Sequence, residues 1–408
     1  MAMRVTDSNL YRKYTTSVNA VHSQLNKSMN KISSGKAYES AAENPLAYYA
    51  GKRMDNQYQD VISKQELLKD VQNRLYQQEL GVRSIQATLT SQSGDTVNTK
   101  INYILNTTNN EISTTVHTVR DDLIQKQQSM INDLNAQYEN LYVYGGNDLS
   151  TVPFELSYDV TKDDMVFKYH HKFSGDSAET TFTFKMNPES GADGTYCFEL
   201  DSVDRPAVSG TTGTDEELLQ KAMSEQGRVD VGYGSIHNTD TLIDTYTGGL
   251  NFLTGMTSDV VKGMSAANFK DQFQEALTKS AIGLTGQAVI TTNQYANYLD
   301  ENRTVSTNHA VDKDTFSEIL GNVITEIQST SNKLGAIYSD LGNKYNQLEN
   351  TADQLATEKI SLETQYKDKL GADPYESIIE MFSHQRSYNA ALQVSSRILG
   401  VSLFDFMS

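Results

Sequence analysis

The sequence predicts a mainly α protein with a β-rich insert: an elongated bundle of long helices from the N- and C-terminal regions, plus an α+β middle domain. Three observations lead there. Apolar residues at helical spacing fill roughly the first third and the last quarter of the 408 residues, residues between them alternate with period two, and only five prolines interrupt the chain.

The first helix is written by Leu10, Tyr14, Val18, Val21, Leu25, Met29 and Ile32, in steps of 4, 4, 3, 4, 4 and 3. Ser33-Ser34-Gly35-Lys36 then supplies a C-cap glycine, and Asn44-Pro45 offers an N-cap followed by proline at the first helical position. The second helix carries Leu67, Val71, Leu75, Val82, Ile85 and Leu89 and ends around Ser93-Gly94-Asp95. Some 45 residues at ~1.5 Å each make a rod on the order of 65 Å. A third helix is predicted from about Asn110 through Val116, Val119, Leu123, Met130, Leu134, Tyr138 and Leu141, with Gly145-Gly146-Asn147 turning the chain out of the bundle.

Beyond the insert, Ile327, Leu334, Ile337, Leu341, Tyr345, Leu348, Leu355, Leu362 and Tyr366 form a matching stripe that stops at Gly371, before Pro374. Steps of roughly 3.5 to 3.7 residues suit nearly straight side-by-side packing. The closing helix shows Ile378, Phe382, Tyr388, Leu392 and Leu399, with polar Gln385 and Ser395 between, and an apolar tail of Val401, Leu403, Phe404 and Phe406.

In the middle, Phe167, Tyr169 and Phe173, then Phe182, Phe184 and Met186, then Tyr196, Phe198 and Leu200 alternate with polar residues, as half-buried strands do. Asn187-Pro188, 191–194 and 209–214 punctuate them, so an antiparallel sheet or small sandwich is expected. Residues 270–298 read as helical again, without a clear domain assignment. The expected domains are 1–33 with 376–408 as a terminal helical coiled-coil core, 34–150 with 306–375 as a long-helix bundle, and 151–305 as a strand-rich acidic outer domain.

A net charge of −18 speaks against nucleic acid as a partner, because neutralising phosphates requires clustered Lys and Arg. The charge is unevenly spread: residues 1–38 carry six basic side chains against Asp7, whereas 150–305 carry 11 basic against 23 acidic. The single Cys197 cannot form an intramolecular disulfide, and with no basic neighbour in its strand it reads as a passive position. No run of eighteen apolar residues occurs, and the first nine residues contain no apolar h-region, so neither a membrane span nor a Sec-type signal is expected.

No catalytic, cofactor or metal constellation emerges. His170 and His171, the only close histidine pair, face opposite sides of a strand and read as surface or edge residues. Gly232-Tyr233-Gly234 begins a dinucleotide-like pattern, but His237 stands in the third glycine's place. The acid pairs Asp163-Asp164 and Glu216-Glu217 read as turn or surface residues, so the chain is not expected to be an enzyme or to need a cofactor.

An amphipathic helix is marginal alone, so the terminal stripes must be covered. Pairing the first and last helices leaves apolar surface for neighbouring copies, and repeated head-to-tail contacts of that kind generate rings or helical assemblies. The expected polymer interface is Leu10, Tyr14, Val18, Val21, Leu25, Met29, Ile32, Leu392, Ile398, Leu399, Leu403, Phe404 and Phe406. In the free subunit these ends are expected to be disordered and to fold on binding.

Three blocks add a resemblance. Ile32-Ser33-Ser34-Gly35-Lys36 with Ala41-Ala42-Glu43-Asn44-Pro45 is similar to the turn near the start of bacterial flagellins and hook-associated proteins, with Glu43-Asn44 in place of the usual acidic pair. Residues 135–146, including Gly145 and Gly146, followed by Pro153-Phe154, resemble the helix-to-insert junction of the hook-associated proteins that join hook to filament. Residues 388–399 and the tail 402–406 resemble their closing helix. The resemblance covers about 60% of the chain and none of the insert. It implies a structural subunit of the bacterial flagellum, exported by the type III apparatus and extracellular. Its implied partners are neighbouring copies of itself, the other hook-associated protein on the hook side, flagellin on the filament side and an export chaperone. A flagellin filament subunit is the alternative, and a non-flagellar exported coiled-coil scaffold is a more distant one.

Overall fold

The computed structural model describes residues 2–38, 40–91, 94–106, 109–188, 196–206, 213–225, 228–230, 242–244, 248–301 and 311–404; the side chains of 2–8, 10, 228–230, 242–244 and 395–404 lie outside the description. It is mainly helical with a β-rich insert, and the chain divides into two compact units, residues 1–66 with 352–408 and residues 67–351.

The first unit holds α1 (Ala2–Ser34), the start of α2 (Pro45–Leu89), the end of α10 (Lys313–Leu370) and α11 (Pro374–Phe404). α1 stops where Gly35 takes φ +67°, a left-handed conformation that glycine adopts without a Cβ penalty. Asn44 caps α2, its side-chain oxygen accepting from Ala47 N–H at 3.1 Å, and Asp373 caps α11, accepting from Tyr375 N–H at 2.8 Å. Pro45 and Pro374 occupy the first helical positions, where a missing N–H costs nothing.

The two turns are joined through the main chain. Lys36 and Gly371 form an antiparallel bridge, Ala37 N–H donates to Leu370 O at 2.6 Å, and Ala372 N–H donates to Gly35 O at 3.0 Å. Leu370 is buried against α2 at Gly51, where a Cβ would lie 1.8 Å from it. Tyr58 donates to Glu363 at 2.9 Å with Lys359 over its ring, so α2 and α10 run antiparallel here.

Buried positions repeat every seven residues along both long helices: Met54, Val61, Leu68, Leu75, Val82 and Leu89 on α2, and Leu320, Ile327, Leu334, Leu341, Leu348, Leu355 and Leu362 on α10. That spacing keeps one apolar seam facing a neighbour.

The second unit adds α3 (Val97–Leu105) and α4 (Ser113–Leu134). α4 ends seven residues before Leu141, where the sequence placed the third helix; a hairpin of β1 (Gln137–Tyr138) and β2 (Leu141–Tyr142) follows. Glu139 and Asn140, with φ of 51° and 64°, make the two-residue turn that hairpins favour, and Asn135 holds Phe154 N–H and O at 3.0 and 2.8 Å instead of continuing the helix. Tyr138 and Leu141 satisfied helical spacing by coincidence.

The insert sheet is an antiparallel meander of β3 (Phe154–Asp159), β4 (Asp164–His171), β5 (Thr180–Pro188) and β6 (Tyr196–Asp204). Its buried face is aromatic, with Phe167 opposite Phe184, Tyr169 opposite Phe182 and Met186 opposite Phe198. Then come α5 (Asp215–Ser224), the strand pair β7 (Arg228–Asp230) and β8 (Leu242–Asp244), α6 (Gly249–Thr254), α7 (Ser258–Lys262), α8 (Ala266–Thr278) and α9 (Ala281–Asp300). Phe273 of α8 packs on Phe184 with centroids 5.5 Å apart.

α9 is buried on every side from Ala281 to Ala296, which explains why it shows no stripe. Its polar side chains bond inward: Gln287 donates to Tyr196 O at 2.9 Å and Asn293 to Val160 O at 3.0 Å, while Gln127 of α4 donates to Ile282 O at 3.0 Å. A Cβ at Gly286 would lie 2.7 Å from Met165 Sδ, so α9 rests directly on the sheet. Among the described residues no helix is long and apolar enough to cross a membrane.

Candidate assembly surface

α1 and α11 pack antiparallel along one narrow seam. Lys31 pairs with Glu380 at 3.2 Å, the His22 and Tyr388 rings lie 5.3 Å apart, and the Tyr14 hydroxyl donates to Ala391 O. On α1 the described side chains that are not exposed are Tyr14, Val18, Val21, Leu25, Ser28 and Lys31; on α11 they are Ser377, Glu380, Met381, His384, Tyr388 and Ala391. Only Ser28 and Ser377 among them are fully buried. Among the described residues, the first unit therefore gives α1 and α11 a single line of contact and leaves their other side chains exposed.

The predicted interface residues fall on both sides of that line. Tyr14, Val18, Val21 and Leu25 lie in the seam, half-buried, whereas Met29, Ile32 and Leu392 are exposed. After steps of 4, 3 and 4 from Tyr14 to Leu25, the seam continues to Ser28 and Lys31 in two successive steps of three, and this turns Met29 and Ile32 outward. On α11 the contact face runs through Ser377, Met381 and His384, one position away from the predicted Ile378 and Phe382, which are exposed. Ile398, Leu399, Leu403 and Phe404 lie on α11 with side chains outside the description; the Leu10 side chain and all of Phe406 are likewise outside it.

Among the described residues, the most exposed large apolar side chains were not singled out by the stripes. Leu46 is 84% and Tyr49 68% exposed on α2, and Tyr375 is 81% and Ile379 69% exposed on α11. They follow Pro45 and Pro374, in the opening turns of the two helices that leave the bridged corner. The signal available in the sequence was a pair of bulky apolar residues just after each proline, off the core spacing. Covering a side chain of this size contributes ~1.5–3 kcal/mol. Several such side chains on one small unit are more than isolated surface residues require.

Charge on the corner is ordered as well. Lys27 pairs with Glu43 at 2.9 Å. Residues 45–53 contain Lys52 and Arg53 and no acid, whereas residues 373–382 contain Asp373, Glu376 and Glu380 and no base.

Within the second unit, the Gly145 and Gly146 junction has a steric origin. Tyr144 is fully buried, and its hydroxyl donates to Gln78 O at 2.6 Å and accepts from Val82 N–H, so it spans a donor and an acceptor four residues apart on α2. Burial and the Asp133 charge push the Tyr144 phenol up, against the Val82 N–H, so it stays protonated. Gly145 bridges Gly248, and a Cβ there would lie 1.9 Å from Asp148 O; Gly146 takes φ +70°. Gly249 N–H donates to Tyr144 O at 2.7 Å.

His170 stands between Glu155 at 3.7 Å and Glu179 at 3.5 Å. His171 is fully buried, contrary to its reading as a surface or edge residue, because β4 turns it into the aromatic core; its Nδ1 is 3.2 Å from Tyr169 Oη and its Nε2 3.6 Å from Glu225. Asp163 accepts from Tyr158 at 2.8 Å, and Glu217 closes the capping box of α5 with Thr214. Cys197 is half-buried on β6. Residues 232–234 and His237 lie outside the described residues. Among the described residues no three His, Cys, Asp or Glu side chains converge as a metal site would need.

No family model and no curated protein matches the chain. Among solved structures it is similar to a flagellar hook-associated protein from Vibrio parahaemolyticus, at 14% identity and a TM-score of 0.44 over 81% of this chain and all of that one. It is also similar to FlgL of Bacillus cereus, at 11% identity and a TM-score of 0.35 over 79% of this chain and all of that one.

Proposed function

We propose that this chain is a structural subunit of the bacterial flagellum that joins hook to filament, polymerising through its paired terminal helices. The observation that carries the reading is the α1 and α11 pair: a single seam with one fully buried side chain described on each helix, beside large apolar residues left bare. Two of the three sequence blocks that resemble hook-associated proteins also have a defined geometry. The Gly35 and Asn44-Pro45 block forms the bridged corner, and the Gly145-Gly146 block forms the junction fixed by Tyr144.

In this reading the terminal pair, 1–33 with 376–408, is the polymerising domain, 34–150 with 306–375 the supporting bundle, and 151–305 the outer domain. The subunit leaves the cell unfolded through the type III apparatus, accompanied by a chaperone, and works outside it. Neighbouring copies cover its terminal helices, with the other hook-associated protein on one side and flagellin on the other.

Co-assembly tests this. The purified chain is expected to bind both the hook-side subunit and flagellin, and electron microscopy of the chain alone is expected to show no long filaments. Long filaments from the pure chain would make it a flagellin; binding to neither partner would remove the flagellar reading.

A further inference from the structure

We propose that the bridged corner of the first unit is a second, head-to-tail contact between copies, in which the opening turns of α2 on one copy receive the opening turns of α11 on the next. The contact rests on the polymer reading above. It is separate from the α1 and α11 seam, and apart from Phe382 its apolar residues lie outside the stripes from which the interface was expected.

The corner offers two apolar segments, not one. Leu46 and Tyr49 stand on one, Tyr375, Ile379 and Phe382 on the other, and each side chain is at least half exposed. Within the copy these segments are held by the Lys36 and Gly371 bridge and its flanking main-chain hydrogen bonds, so both are presented on a fixed frame.

Charge selects the occupant. On α2, Lys52 pairs with Asp55 at 3.4 Å, which leaves Arg53 as the cation beside the apolar pair; on α11, Glu380 pairs with Lys31 of its own copy at 3.2 Å, which leaves Glu376, with Asp373 at the cap. Two α2 segments would set cations against cations, and two α11 segments carboxylates against carboxylates. An α2 segment facing an α11 segment sets opposite charges around an apolar centre. A second copy supplies that complement, and a contact between unlike faces repeats from copy to copy instead of closing as a symmetric pair.

Cysteine trapping decides the matter in the full chain. In a Cys197→Ser background, one preparation carries Leu46→Cys and another Ile379→Cys, and far-ultraviolet circular dichroism shows that each keeps the parent fold. On mild oxidation the mixture is expected to give a disulfide-linked dimer, while either preparation alone gives none. Adding Arg53→Glu to the first preparation should lower the yield about threefold, the scale of an exposed ion pair, and Glu376→Arg in the second should restore it. Dimers of the Leu46→Cys protein with itself would mean that like faces meet and would overturn the proposal. Absence of a mixed dimer would overturn it too; if flagellin and the hook-side subunit still bound, only this contact would be lost and the flagellar reading would stand.

Discussion

Replacing Gly81 by alanine is the sharpest test of how the junction is anchored. The added methyl would lie 2.3 Å from Tyr144 Oη and 3.0 Å from its Cζ, closer than carbon tolerates. The ring has little freedom to retreat, since Phe252 packs edge-on at 5.4 Å, the hydroxyl is bonded to Gln78 O, and Gly249 N–H holds the Tyr144 carbonyl. Overpacking of this kind costs ~1–3 kcal/mol, and displacing the hydroxyl forfeits a buried hydrogen bond of ~1 kcal/mol. Alanine's better helix propensity returns up to ~1 kcal/mol, leaving a net loss of ~1–3 kcal/mol. Tyr144→Phe alone should cost ~1 kcal/mol and removes the worst contact, so Gly81→Ala should cost little in that background. The two changes are therefore expected to couple by ~1 kcal/mol or more. Urea unfolding followed by circular dichroism and tyrosine emission reads the effect, the chain having 23 Tyr and no Trp. Hydrogen exchange at residues 78–82 localises it. Simple addition of the two single costs would refute the assigned contact.

Gly145→Ala should destabilise the second unit more than Gly146→Ala. The first drives a methyl to 1.9 Å from the Asp148 carbonyl, while the second meets only a left-handed φ, worth ~1–2 kcal/mol, and urea midpoints should rank them so. Leu25→Asp places a carboxylate in the α1 seam and Leu392→Asp places one on exposed α11 surface. Both should abolish sedimentable assembly while leaving exchange protection of the insert sheet unchanged, and normal polymers from either would reverse their roles. Glu225 is held below the ordinary carboxylate range, chiefly by the His171 imidazole 3.6 Å away and against a burial effect that raises it. With a folded pKa below the unfolded value, it contributes stability above about pH 4.3, which is lost as pH falls through the folded pKa. Glu225→Gln should flatten that part of an acid-unfolding profile, and an unchanged profile would show that the pair is idle.

The long helices were legible because burial on them is a repeat that one sequence can display. Val71 to Leu89 and Ile327 to Leu362 needed no partner to be recognised as faces, whereas Leu67, the first position of the α2 stripe, is exposed and its neighbour Leu68 is buried in its place. The end of α4 was not legible, since Tyr138 and Leu141 continue the helical spacing and only the left-handed Glu139 and Asn140 break it. α9 gave no stripe for the opposite reason: when all sides are buried, side chains such as Gln287 and Asn293 are chosen by the carbonyls they meet. At the assembly surface, spacing located the seam from Tyr14 to Leu25 but could not tell which of two adjacent lines α11 would use. Leu46 and Tyr375 escaped because exposure is a property of the packed unit, and no period marks it.

The tie between Lys36 and Gly371 is made of peptide groups alone, so it is indifferent to what side chains the strap carries. Substitutions other than proline at 36, 37 and 372 should therefore leave the bend intact, while Gly35 stays fixed by its torsion. A fluorophore or affinity handle attached through Lys36, an exposed side chain, would report on the neighbourhood without loosening the hinge pin beneath it.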